Sequence, residues 1–173
     1  VEAPTGLGKT AAALTPALRA ALAGDLTLYV LTSRTLQQRL ALETLRAIAP
    51  PGVRVAARLR AKAKMCATGE LICHELACGH ARAHRSAVAG GHLLERAFAD
   101  GFALPDAVFA LGRDAGACPF ELMGEAAHTA CAVVADYNHA FHPSVALPQL
   151  RDPAELARSV LLVDEAHGLP ARV

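Results

Sequence analysis

A doubly wound α/β fold with a parallel sheet, interrupted by a mostly helical insertion, is what this sequence predicts. Strand-length apolar runs alternate with amphipathic helical segments toward both ends of the chain. The runs are continuous rather than alternating, which suits strands covered by helices on both faces. Between residues 61 and 120 the alternation lapses, and four of the five cysteines fall there. A chain of 173 residues has room for one such domain and little more.

The elements follow in order. Val1-Glu2-Ala3-Pro4 reads as the end of a buried strand, followed by a glycine turn and a helix from Lys9 to Ala23 that stops at Gly24-Asp25. Leu26 to Thr32 is a strand. Thr35 to Ala49 is a helix with Arg39, Glu43 and Arg46 on its polar face and Leu36, Leu40, Leu45 and Ile48 turned away from it. Pro50-Pro51-Gly52 ends that helix, and Val53 to Ala57 is a short strand. A further helix runs from Ala81 toward Phe98, weakened at Gly90-Gly91. The sheet resumes at Ala132 to Asp136 and closes with Val160 to Val163. Three segments are therefore expected: 1–60 and 121–173 from one sheet domain, and 61–120 inserted between them.

Composition narrows the class. Hydrophobic residues make up 53% and no tryptophan is present, so the core is expected to be leucine, valine and alanine. That content excludes intrinsic disorder, and no apolar run reaches the ~18 residues of a membrane span. A net charge of +1 offers no global attraction for nucleic acid, so any such binding must come from local patches. Five cysteines without a secretory signal count against a disulfide scaffold and for a metal or cluster site. The chain starts at Val1 and enters a motif at Glu2, so it reads as a fragment.

Ala3-Pro4-Thr5-Gly6-Leu7-Gly8-Lys9-Thr10 matches the phosphate-loop pattern G-x-x-x-x-G-K-[ST] except that Ala3 replaces the first glycine. Gly6 and Gly8 let the backbone turn so that amides point inward around a phosphate, with Thr5 a further nucleotide-binding position of the loop. Lys9 supplies a point charge to the β- and γ-phosphates, and the Thr10 hydroxyl suits Mg²⁺. At the other end, Val160-Leu161-Leu162-Val163-Asp164-Glu165-Ala166-His167 is an apolar strand finishing in two carboxylates, where open α/β sheets bind ligands. Asp164 is placed to hold Mg²⁺ through its water shell, and Glu165 to orient or deprotonate an attacking water. The two motifs together indicate a bound nucleoside triphosphate with its Mg²⁺.

Cys66, Cys73, Cys78 and Cys118 are separated by six, four and 39 residues. Four thiolates suit a [4Fe–4S] cluster or tetrahedral zinc, and spacing alone leaves both open. His74, His80 and His84 lie nearby as further zinc donors, while Cys131, beside an apolar strand, reads as a core residue. Metal–thiolate links are expected to stiffen a region with too little apolar content for a core of its own. Arg58, Arg60, Lys62 and Lys64 form an alternating basic stretch suited to phosphate contacts. Arg34 and Thr35, at a strand end, suit a nucleic-acid backbone contact. Tyr137 and Phe141 suit base stacking by type, although apolar packing is the more frequent fate of such residues.

The string Glu2-Ala3-Pro4-Thr5-Gly6-Leu7-Gly8-Lys9-Thr10 with Asp164-Glu165-Ala166-His167 resembles the superfamily 2 helicases, and more narrowly the iron–sulfur helicases of the XPD/DinG family. Leu31 to Gln38 is similar to the family's second conserved block, and Asp136 to Pro143 to its segment before the acidic box. Lys64-Met65-Cys66 and Cys118-Pro119-Phe120 resemble its first and last cluster-ligand contexts. The resemblance implies ATP and Mg²⁺ as cofactors, with a [4Fe–4S] cluster on Cys66, Cys73, Cys78 and Cys118. It also implies single-stranded DNA as partner, contacted by Arg34 and Thr35, and His167 coupling hydrolysis to movement. A second RecA-like domain beyond Val173, 5′-to-3′ polarity, a role in repair or replication and a cytoplasmic, nucleoid-associated site of action in a bacterium follow from the same resemblance. Two other readings remain open: an ATPase switch with a structural zinc module, and a non-enzymatic nucleic-acid module with a degenerate phosphate loop.

Overall fold

The computed structural model describes residues 8–171, and the expected first strand, with Thr5 and Gly6, lies outside them. The chain divides into two compact units, one of residues 1–56 and 131–173, the other of residues 57–130. Strand β1 (Thr27–Thr32) lies between β4 (Ala132–Asp136) and β5 (Ser159–Val163), parallel to both. With β2 (Ala56–Arg58) and the two-residue β3 (Phe102–Ala103) they form a five-stranded sheet ordered β3-β2-β4-β1-β5. This α/β sheet is consistent with a RecA-like domain.

In the first unit, β1 and β4 supply the core. Leu28, Tyr29, Val30 and Leu31 are buried, as are Ala132 through Ala135. Helix α1 (Lys9–Gly24) packs on β1 and β5 and ends at Asp25, whose backbone is left-handed at φ +50 and whose N–H donates to Ala21 O. The αL position is thus Asp25 itself and not Gly24, within what an Asx residue tolerates. Helix α2 (Thr35–Ile48) corrects the expected apolar face. Its buried residues are Gln38, Ala41, Leu42 and Leu45, whereas Leu36 and Leu40 are exposed. The buried set still has i, i+3, i+4, i+7 spacing. It uses Ala41 for close approach to neighbouring elements, and rotates the leucine stripe outward. The polar face stands as expected, with an Arg39 Nε to Glu43 Oε1 ion pair of 3.5 Å. Two short helices, α8 (Asn138–Phe141) and α9 (Pro153–Ala157), join β4 to β5.

The second unit also departs from expectation, because it builds an apolar core. Helices α5 (Leu93–Ala97), α6 (Pro105–Asp114) and α7 (Pro119–Thr129) pack together around Leu93, Val108, Leu122, Met123 and Ala126. Short helix α3 (Lys62–Met65) adds the fully buried Met65. The shortage of apolar content is confined to residues 66–92, none of which is buried. Those residues comprise the cysteine loop and helix α4 (Gly79–Gly91), which breaks at His92 in a left-handed conformation just after the glycine pair.

Helices α6 and α7 meet at Gly112, where an added Cβ would stand 3.0 Å from Pro119 Cα. Gly112→Val is expected to overpack this contact and destabilise the second unit by about 1–3 kcal/mol, read as a lower midpoint in chemical denaturation.

Candidate nucleotide site and cysteine cavity

Gly8 is left-handed at φ +68 and caps α1, with no side-chain cap bond and no acidic residue in the first turn. The helix therefore presents its first amides and the positive end of its dipole unneutralised, which suits an anion. Thr10 is exposed in that first turn. The Lys9 side chain, like Thr5 and Gly6, lies outside the described residues.

Asp164 follows the last residue of β5, at the carboxyl end of the parallel strands. Its N–H donates to Leu31 O of β1 at 2.9 Å, and its own carbonyl accepts from the Tyr137 hydroxyl. Asp164 is half-buried, whereas Glu165 and His167 are exposed. Glu165 has φ +52, a left-handed conformation costing an L residue about 1–2 kcal/mol. Strain of this kind at a strand end with two carboxylates marks a site shaped for more than stability.

Beside it, at the end of β1, the Thr32 hydroxyl organises the turn into α2. It donates to Gln37 Oε1 at 3.0 Å and accepts from Arg34 N at 3.1 Å. Arg34 and Thr35 are both exposed there, on the strand-end side of the first unit. The sequence offered no signal for Thr32 or Tyr137 as organisers of these turns.

In the second unit, Cys66, Cys73, Cys78 and Cys118 all line one cavity of about 60 Å³, together with Lys62 and His80. On that measure it has space for several waters. The thiols come from two kinds of position. Cys78 is the N-cap of α4 and Cys118 the N-cap of α7, while Cys66 and Cys73 lie on the loop between α3 and α4. The Cys66 thiol is pulled down to about 7, first by the Thr68 hydroxyl 3.4 Å away, then by backbone hydrogen bonds from Leu71, Thr68 and Gly69. Left-handed Gly69 and Leu71 make that wrapping possible. Burial is the main reason the Cys118 thiol is pushed up, with Glu121 and Cys73 adding repulsion.

The nearby histidines are engaged in other ways. His80 Nδ1 is 3.1 Å from Ala117 O, and His84 Nε2 is 3.1 Å from Glu125 Oε1. Among the described residues no three His, Cys, Asp or Glu side chains are grouped so as to hold one metal ion. Cys131 is only half-buried, and burial raises its thiol. Of the basic stretch, Arg60 is paired with Asp106 at 2.6 Å, and the Lys62 ammonium lies 5.2 Å from the Phe120 ring centroid.

No curated protein matches the chain. A family model, DEAD_2, matches residues 49–173, from the end of α2 through both units to the acidic pair. The match begins well after the phosphate-loop string and includes the acidic pair. Over most of its length, then, the chain belongs to the DEAD_2 family, and it carries a helicase-like, ATP-binding motor domain of superfamily 2.

Proposed function

We propose that this chain is the first motor half of an ATP-dependent DNA helicase of the iron–sulfur branch, the XPD/DinG family. The observation that carries the reading is the acidic pair Asp164-Glu165 at the carboxyl end of a parallel strand beside β1, in a chain that also holds the intact G-K-T of a phosphate loop. Thr5, Gly6 and Gly8 shape the loop, Lys9 pairs with the β- and γ-phosphates, and Thr10 and Asp164 hold Mg²⁺. Glu165 orients the attacking water and takes its proton. His167 couples the site to movement. Arg34 and Thr35 grip the backbone of single-stranded DNA, and a second RecA-like domain closes over the nucleotide. The polarity is 5′-to-3′, the setting DNA repair or replication, and the place of action the bacterial cytoplasm at the nucleoid. The described residues contain no helix long and apolar enough to cross a membrane.

Residues 61–120 are assigned as the cluster-bearing insertion, with Cys66, Cys73, Cys78 and Cys118 holding a [4Fe–4S] cluster. Four thiols facing one cavity, one of them wrapped by amides, have the donor chemistry a cluster needs. Tetrahedral zinc on the same thiols is the second reading, and metal analysis with visible absorbance separates the two. The cluster supplies iron–thiolate links that cross-brace the loop; the protein's own part is to aim four sulfurs at one space.

The test is Mg-ATP binding and single-turnover hydrolysis by the chain, alongside binding of single-stranded DNA by anisotropy. Weak Mg-dependent nucleotide binding, only slow basal turnover in the absence of the second RecA-like domain, and salt-sensitive DNA binding are expected. Failure to bind Mg-ATP overturns the reading. Arg34→Ala is expected to weaken DNA binding uniformly across sequences and to lower the salt slope by about one.

A further inference from the structure

We infer that Tyr137 is a positioning residue for Glu165, acting through a hydrogen bond that holds the Asp164–Glu165 peptide in one orientation. The inference rests on the proposed role of Glu165 in ATP hydrolysis.

The geometry begins with the strand order. β4 and β5 flank β1, so Tyr137, the residue after β4, and Asp164, the residue after β5, sit on opposite sides of the β1 end. Two interstrand steps of ~4.8 Å separate those strands, a gap a tyrosine side chain can bridge from one side. Tyr137 does bridge it. Its side chain is 2% exposed, and its hydroxyl donates to the Asp164 carbonyl oxygen.

The tyrosine backbone is fixed in turn. Asp136 pairs in register with Thr32, the Asp136 carboxylate accepts from Asn138 N at 2.9 Å, and the Tyr137 carbonyl accepts from Ala140 N and Phe141 N. The hydroxyl is thus presented from a rigid base.

At the other end, Asp164 is held on both sides of its α-carbon, by the N–H bond to Leu31 and by the carbonyl bond to Tyr137. The second bond fixes the plane of the peptide that leads into Glu165. Rotating that plane is what would release Glu165 from φ +52 into the common right-handed or extended conformations. With the hydroxyl in place, the strained conformation persists and the Glu165 carboxylate leaves the strand end in one direction. Without it, the carboxylate is redirected while Asp164 stays anchored to β1. Tyr137 thereby sets the water-orienting group without touching nucleotide or metal.

The experiment compares the wild-type chain with Tyr137→Phe, which keeps the ring and removes the donor. Backbone carbon chemical shifts of Glu165 report its φ without any nucleotide. Left-handed values are expected in the wild type and right-handed or extended ones in Y137F. Single-turnover ATP hydrolysis is expected to fall about ten- to hundredfold, as for a reacting group misplaced by an ångström, with Mg-ATP affinity within about twofold because Asp164 has not moved. A merely structural defect would lower affinity and turnover together. Left-handed Glu165 shifts in Y137F, or unchanged turnover, would overturn the inference. Should Y137F fold poorly, the wild type still decides: the Tyr137 hydroxyl proton is expected as a slowly exchanging resonance close to the Glu165 amide, and its absence sinks the clamp. A wild type unable to bind Mg-ATP would instead sink the proposed function, whatever the Glu165 shifts show.

Discussion

Anaerobic reconstitution with ferrous iron and sulfide is expected to yield a brown protein carrying about four irons and four sulfides per chain. Replacing Cys66, Cys73, Cys78 or Cys118 by serine should lower the iron content and abolish the visible absorbance, because each thiol lines the single cavity. Cys131→Ser is the internal control: Cys131 is not among the cavity-lining residues, and the colour should persist. The structural consequence of removing the iron is sharper than global unfolding. None of residues 66–92 is buried, and beside the His80–Ala117 and His84–Glu125 contacts the proposed cluster is expected to order them, whereas α5, α6 and α7 share an apolar core. On chelation, hydrogen exchange should rise steeply across the cysteine loop and α4 and stay low in α7. Loss of protection in α7 at the same rate would show that the core does not stand alone. One zinc and a colourless protein would identify the other metal instead.

The second large effect concerns the nucleotide. Lys9→Ala should remove detectable Mg-ATP binding, since the proposed phosphate loop loses the charge assigned to the β- and γ-phosphates. Glu165→Gln should do something different. Its binding should stay near that of the wild type, and hydrolysis should drop about 10²- to 10⁴-fold through loss of a general base. Titration with a fluorescent nucleotide separates binding from phosphate release. Equal loss of both in E165Q would mean that the carboxylate holds metal rather than water.

Much of this architecture was legible in the amino-acid order. β1, β4 and β5 are continuous apolar runs, and each lies within a residue of its expected bounds. Burial on both faces leaves the β1 and β4 runs little alternative to a central parallel strand, whereas β5, with none of its residues buried, is an edge of the described sheet. α2 was legible as a helix and misleading as a surface, because Ala41 and Gln38 face inward while Leu36 and Leu40 do not. Size and hydropathy do not report which side of a helix needs close approach. β3 was illegible for a simpler reason: two residues carry no period. The helical packing within 57–130 was also missed, since its buried residues, among them Val108, Leu122, Met123 and Ala126, and the close approach of Gly112 to Pro119 form no conspicuous leucine stripe. For the site, Asp164 and Glu165 were marked by residue type and by the strand before them. Tyr137 was not, because its partner carbonyl lies 27 residues away and any residue could have supplied that carbonyl.

The points where the chain leaves the first unit and returns to it lie side by side: Cys131 N donates to Arg54 O and Ala132 N to Val55 O, each at 2.9 Å. Departure and return through neighbouring rungs of a ladder mean that a few glycines could close the gap without stretching the sheet. The 74 residues between them can therefore vary in length and content without moving the paired strands β4, β1 and β5 apart.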